Sequence, residues 1–385
     1  MRTEPTVLRL LGATVFSVAM AAPAFALPTM IRIGYSECAS CHISPQGGGP
    51  LNTYGRGIDK AQSLVAGEYQ PSDDGFVRAL NLNGRITHDL RAVAQGQARW
   101  VGDERSPGSF RPRLLYRNVS ELGHGFRLSG VVTIDGERAP RPALKYDPLT
   151  SPSALFVNTA LVHYRIGKTW ELAAGRDQLP SGVNVPDLSL YIRSRNRLGY
   201  YDAPTQVKMF WWSRRHAFTP FLFGPGGNEA PGERESGGGW LYEFYPIGEQ
   251  RAKLGVTFLQ GTSGNGGRRM AGAYARLGFG KWGILAEHDV TDRTRNVPDS
   301  VSFRQNATYG QVFWATREWL VASLIGERLH VDPPFAQHLV AGRFEIAARL
   351  TNQATVVANT RIERNMTTGR LSKSVGFQLA LKTID

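Results

Sequence analysis

The chain has 385 residues, 45 Lys+Arg against 32 Asp+Glu, and a formal charge of +13. No apolar stretch long enough for a membrane-spanning helix follows position 26, so helices do not carry it through a bilayer. Its basic residues are scattered singly through alternating segments rather than gathered into runs, which argues against nucleic acid as a partner. The 43 glycines and 10% aromatic content point to many short strands joined by turns.

Met1-Arg2 opens a basic start, an apolar run follows from Leu10 to Ala21, and Ala24-Phe25-Ala26 supplies a small-residue cleavage pattern. These three features predict a secretory signal peptide over 1–26, with Leu27 as the first mature residue. Export takes the chain out of the cytoplasm and away from nucleic acid.

The stretch Cys38-Ala39-Ser40-Cys41-His42 holds the only two cysteines of the chain, spaced C-x-x-C and followed at once by histidine. That is the attachment pattern of c-type haem. Two thiols three positions apart can add to the two vinyl groups of one porphyrin, and the next residue offers an imidazole to the iron. Cys38 and Cys41 are therefore candidate thioether residues for one covalently bound haem c, and His42 its candidate proximal ligand. A dithiol redox pair wants a surrounding βαβ pattern, which Gly34 to Gly57 lacks. A zinc site wants four ligands, and no further cysteine exists to complete one.

Residues 27–76 read as a small, turn-rich haem-binding segment. Ser44-Pro45-Gln46-Gly47-Gly48-Gly49-Pro50 is broken by Gly and Pro throughout, and suits a loop passing close over a porphyrin face. Arg56 and Lys60 are candidate partners of the haem propionates. Gln70 to Gly75 reads as a linker. A segment of about 50 residues is small for a core built unaided, and a covalent haem would supply part of it. The sixth iron ligand stays open between Met30 and His88, because no methionine lies between His42 and Met209. An iron left open on that side is the third option.

From 77 to 385 the pattern changes to period two. Phe126, Leu128, Val132 and Ile134 alternate with Arg127, Ser129, Thr133 and Asp135; Leu371, Val375, Phe377, Leu379 and Leu381 alternate with Ser372, Ser374, Gln378 and Lys382. Roughly 16 such segments of about ten residues predict an all-β chain, a transmembrane antiparallel β-barrel. All eight tryptophans fall in or at the ends of these segments, as aromatic girdles do. Gly167-Lys168, Gly248-Glu249 and Gly280-Lys281 read as tight periplasmic turns. Pro180 to Pro204, Pro225 to Gly239 and Asp292 to Ser302 read as longer extracellular loops. Within the first of these, Arg193, Arg195 and Arg197 alternate, and either form a basic constriction in the pore or belong to an ordinary solvated loop.

A haem peptide ahead of a barrel resembles the fused monohaem cytochrome–porins of the bacterial outer membrane. The resemblance rests on Cys38-Ala39-Ser40-Cys41-His42 and on the following Leu51-Asn52-Thr53-Tyr54-Gly55-Arg56, and it covers about 30 residues in detail. It implies electron transfer across the outer membrane between an extracellular partner, with Fe(II) as one donor, and a periplasmic cytochrome or other carrier. A bilayer core is about 30 Å thick, too far for one haem on a soluble domain to bridge, so a haem held inside the barrel is the expected arrangement.

Two other functions fit parts of the chain. An anion-permeable diffusion porin would line its lumen with Arg127, Arg343, Arg349 and Arg361 and use the haem peptide as a plug or sensor. A haem peroxidase would need a distal acid–base pair, for which His88 beside Asp89 is the candidate.

Overall fold

The computed structural model describes residues 28–35, 38–47, 50–65, 85–135, 155–185, 187, 189–227, 229, 231–246, 251–296 and 300–382. The expected signal peptide, the linker at 70–75 and the turn Gly248-Glu249 lie outside the described residues.

Among these, sixteen antiparallel strands run from β1 (Ile86–Val101) to β16 (Leu371–Lys382). Each strand pairs with its neighbours in sequence. The ring closes where β1 meets β16, from Arg91 opposite Lys382 to Val101 opposite Ser372. Closure leaves no sheet edge unpaired, which a lipid environment requires. The expected barrel and its strand number are both present.

Alternation decides which side faces outward. On β3 (Phe126–Asp135), Phe126, Leu128 and Ile134 are exposed, while Ser129, Val131, Thr133 and Asp135 are buried. The same holds on β14 (Gln337–Arg349), where Val340, Phe344 and Ile346 point outward, and on β16 with Val375 and Leu381. Each such side chain left in water would forgo about 1.5–3 kcal/mol of burial. The outside of this barrel is built for hydrocarbon, and its polar residues line the inside.

Aromatic residues gather at one rim. Trp282 stacks on Trp314 with ring centres 5.4 Å apart, and Trp170 lies 6.1 Å from Trp211. This is the rim of tight turns, where Gly167 and Gly280 adopt φ of 64° and 61°, a backbone that favours glycine. Tight turns mark the periplasmic end of such barrels.

The opposite end departs from expectation. β11 (Trp282–Arg295) and β12 (Val301–Arg317) extend into the expected Asp292–Ser302 loop, and β8 (Ser236–Phe244) begins inside the expected Pro225–Gly239 loop. The larger correction concerns 177–204, which folds into the lumen instead of standing outside it. Leu190 and Ile192 within it are fully buried.

Candidate functional site

Cys38–Ser40 forms a single 3-10 turn, closed by Cys41 N–H donating to the Cys38 carbonyl (3.2 Å) and His42 N–H donating to the same oxygen (2.8 Å). The turn places two free thiols one helical step apart with an imidazole on the next residue, and all three side chains are half-buried. Burial, with Cys38 and the Asp59 carboxylate nearby, pushes the Cys41 thiol above its ordinary value. Dithiol redox pairs lower a thiol instead. No group of three or more His, Cys, Asp or Glu side chains forms a metal cage among the described residues.

Asn52 holds the motif to the helix Thr53–Ala61. Its Oδ1 accepts from Gly55 N–H (2.8 Å), capping the helix, while its Nδ2 donates to the carbonyls of Ala39 (3.3 Å) and Ser40 (3.1 Å). Gly55 is required where it stands, because a Cβ there would run into the Cys41 carbonyl. Gly47, at φ +82°, lies against Cys38, and an added Cβ would sit 2.9 Å from its Sγ.

This segment lies inside the barrel at the tight-turn end. The 3-10 turn Pro28–Ile33 packs on the inner wall of β10 (Gly266–Phe279) and β11, with Ile31 1% exposed and its carbonyl against Gly278. Arg32 reaches Glu318 (2.5 Å) and Asp59 reaches Arg349 (2.8 Å). Gln46 accepts from Lys208 (2.9 Å) and donates to the Gln178 and Leu179 carbonyls. Nη1 of Arg276, an inward residue of β10, stands 3.8 Å from Cys38 Sγ. Arg276 Nε and Ser44 Oγ are buried beside the motif without a hydrogen-bond partner. Both are donors that a polar ligand would satisfy. The donor set, its half-open side chains and these two unfilled groups fit a haem c.

Residues 177–204 form the second lumen element, latched to the wall by carboxylates. Val183 N–H donates to Glu287 (2.7 Å), Asn196 Nδ2 to Asp289 (2.8 Å) and Tyr191 N–H to Glu327 (2.8 Å). Asp187 pairs with Arg343 at 2.5 Å. Burial alone would raise the Asp187 carboxyl, but Arg343 and two hydrogen bonds from Ser189 outweigh it and hold it below the ordinary value. Arg193 is buried and bonded to Ser181, and Arg197 pairs with Glu233 (3.6 Å) and Glu235 (3.9 Å). Neither is an ordinary solvated loop arginine; both hold the lumen loop in place.

The other expected site residues part company. Arg56 donates to the Leu51 carbonyl (3.3 Å), to Thr53 (3.2 Å) and to Thr87 (3.4 Å), tying the helix to β1. The side chain of Lys60 lies outside the described residues. Met30 sits in the Pro28–Ile33 turn of the docked segment. His88 does not join it. Its Nδ1 meets the Tyr116 hydroxyl at 2.6 Å, and Tyr116 is exposed on the outer face. Successive residues on a strand face opposite ways, so Asp89 points into the lumen, where it pairs with Arg91 (2.9 Å). His88 and Asp89 therefore cannot form a distal pair, and His88 is on the wrong side of the sheet to ligate an iron in the lumen.

The four arginines of the anion-pore reading do line the lumen, but each has an acidic partner. Arg127 pairs with Glu171 (2.5 Å), Arg343 with Asp187, Arg349 with Asp59 and Arg361 with Glu327 (2.5 Å). Glu171 and Glu327 stand on the wall, whereas Asp187 and Asp59 come from the lumen loop and the motif's helix, more than a hundred positions from their arginines, so these last two pairings carry no local signal in the sequence.

No protein-family model matches the chain, and no curated protein matches it in sequence. Solved structures match its fold. OprB of Pseudomonas putida, in a high-pH structure, aligns with 80% of this chain and 97% of its own at a TM-score of 0.56 and 10% identity. The anion-selective porin of Comamonas acidovorans aligns with 77% of this chain and 100% of its own (TM-score 0.55, 12% identity). OmpT of Vibrio cholerae aligns with 78% and 98% (TM-score 0.54, 8% identity). The chain has the fold of outer-membrane porins.

Proposed function

We propose that this chain is a porin-type barrel of the bacterial outer membrane whose lumen carries one haem c on Cys38 and Cys41, with His42 as axial ligand. On this reading it passes electrons between an extracellular redox partner, Fe(II) among the candidates, and a periplasmic cytochrome or similar carrier. The observation that carries the reading is the position of the motif, inside the barrel with Cys38 beside Arg276 of the lumen wall. Haem c held there supplies a one-electron carrier. The chain's own residues do the rest: Asn52 fixes the attachment turn, Ile31 and Gln46 seat it against the wall, and the barrel screens it from lipid. Met30, in the same docked segment, is the remaining side-chain candidate for the sixth ligand. A periplasmic carrier approaches from the tight-turn rim, and a small extracellular donor from the opposite mouth.

The second reading is an anion-permeable diffusion porin in which the haem peptide serves as a plug. The shared fold favours it, since the structures that match are porins, one of them anion-selective. The net charge of +13 agrees, while the carboxylates paired with the lumen arginines weaken it.

Absorbance of the purified protein, oxidised and reduced, tests the first reading, and planar-bilayer conductance the second. A c-type α-band that appears on reduction and is lost in Cys41→Ala, with little ohmic current, supports the haem-bearing barrel. An open ohmic pore and no band in a folded barrel leaves the porin.

A further inference from the structure

Away from the lumen, we propose a divalent transition-metal site at the far rim, formed by His330 and His338 on the outer face of β13 (Leu320–Val331) and β14. The two residues are direct cross-strand partners, and their rings meet edge to face with centres 5.5 Å apart. Asp332 Oδ1 lies 3.2 Å from His330 Nε2. A carboxylate at that nitrogen holds the proton there and leaves the lone pair on Nδ1, the arrangement by which an outer carboxylate orients a metal-binding imidazole. His330 Nδ1 is indeed buried and without a hydrogen-bond partner, and so is His338 Nε2.

Both rings stand at the rim, with the His330 side chain 46% exposed, yet these two nitrogens are covered and without hydrogen-bond partners, and one cation between them would satisfy both. The position of His338 is fixed from both sides. Its N–H donates to Thr367 Oγ1 (3.0 Å), and its carbonyl accepts from Met366 N–H (2.7 Å). His330 stands one residue before the end of β13, so the pair sits where the chain turns at 332–336, at the rim opposite the tight turns.

The ligand class follows from the donors. Two imidazoles suit Zn²⁺, Cu²⁺ or Ni²⁺ and suit Mg²⁺ or Ca²⁺ poorly. No third His, Cys, Asp or Glu completes a cage among the described residues, so water fills the remaining positions. Such a site stays exchangeable and opens to the medium beyond the barrel. By clamping adjacent strands across the 332–336 turn, the cation would also stiffen this part of the mouth.

The test is titration of the full folded chain in detergent with Cu²⁺ and Zn²⁺, with any free Cys38 and Cys41 thiols alkylated beforehand. Expected are one tight equivalent per chain and nitrogen hyperfine structure from two imidazoles in the Cu²⁺ spectrum. His330→Gln and His338→Gln should each weaken binding at least tenfold. His288→Gln, which removes another outward histidine, one bonded to Thr308, should leave it unchanged. Asp332→Asn should weaken binding less than either histidine change. Strand content by circular dichroism separates loss of the site from loss of the fold. Equal binding in a folded His330→Gln/His338→Gln double variant would overturn the proposal.

Discussion

Replacing Asn52 with alanine tests whether the attachment turn and its helix form one unit. The substitution removes a helix cap, about 1 kcal/mol. It also removes two hydrogen bonds to the Ala39 and Ser40 carbonyls, which at 3.3 and 3.1 Å fall near the weak end of about 0.5 kcal/mol each. Together the loss is about 2 kcal/mol, or about 30-fold in the equilibrium between the closed and the locally opened segment. Asn52→Ser keeps a cap acceptor and loses only the two donors, so it should cost about 1 kcal/mol, about fivefold. The assay is limited proteolysis of the folded barrel in detergent, under conditions where cleavage between residues 38 and 65 follows the population of the open form. The reasoning fails if Asn52→Ala is cut no faster than wild type, or if the serine and alanine variants behave alike.

Ile31→Ala removes a side chain that is 1% exposed against β10, at a cost of about 2–5 kcal/mol. The same proteolysis should then release the segment faster than Asn52→Ala does, with strand content unchanged. The lumen loop should also respond to pH. The Asp187 carboxyl is held below its ordinary value, so its contribution is complete above that value and is lost as pH falls through the depressed one, below about pH 4. In Arg343→Gln burial is no longer outweighed, Asp187 titrates higher, and loop cleavage at 177–204 should begin at higher pH than in wild type. An unshifted pH profile would show that the Asp187–Arg343 pair does not hold the loop.

The barrel was legible because its physical signal is local. Leu371, Val375, Phe377, Leu379 and Leu381 share one face of β16, and lipid demands that such a face point outward. The face of His88 was legible by the same rule. It shares its side with Leu90 and stands opposite the inward Asp89, so alternation alone turned it away from the lumen. The path of 177–204 was not legible. Its Gly, Pro and Arg content fits an outer loop equally well, and what draws it inward is a set of wall carboxylates, Glu287, Asp289 and Glu327, on strands that follow about a hundred residues later. The haem motif was readable as chemistry, since three adjacent residue types define it. Its seat beside Arg276 depends on a contact across 238 positions, and no spacing rule reaches that far.

The most direct test of the central claim uses lipid vesicles that carry the full chain and enclose an oxidised, membrane-impermeant electron acceptor. A membrane-impermeant reductant is added outside, and the acceptor is followed optically. The haem-bearing barrel predicts reduction of the enclosed acceptor with wild type and none above empty vesicles with Cys41→Ala, while a fluorescent dye of similar size stays inside. Equal reduction by both proteins, or escape of the dye at the same rate, would contradict electron transfer and describe an open porin.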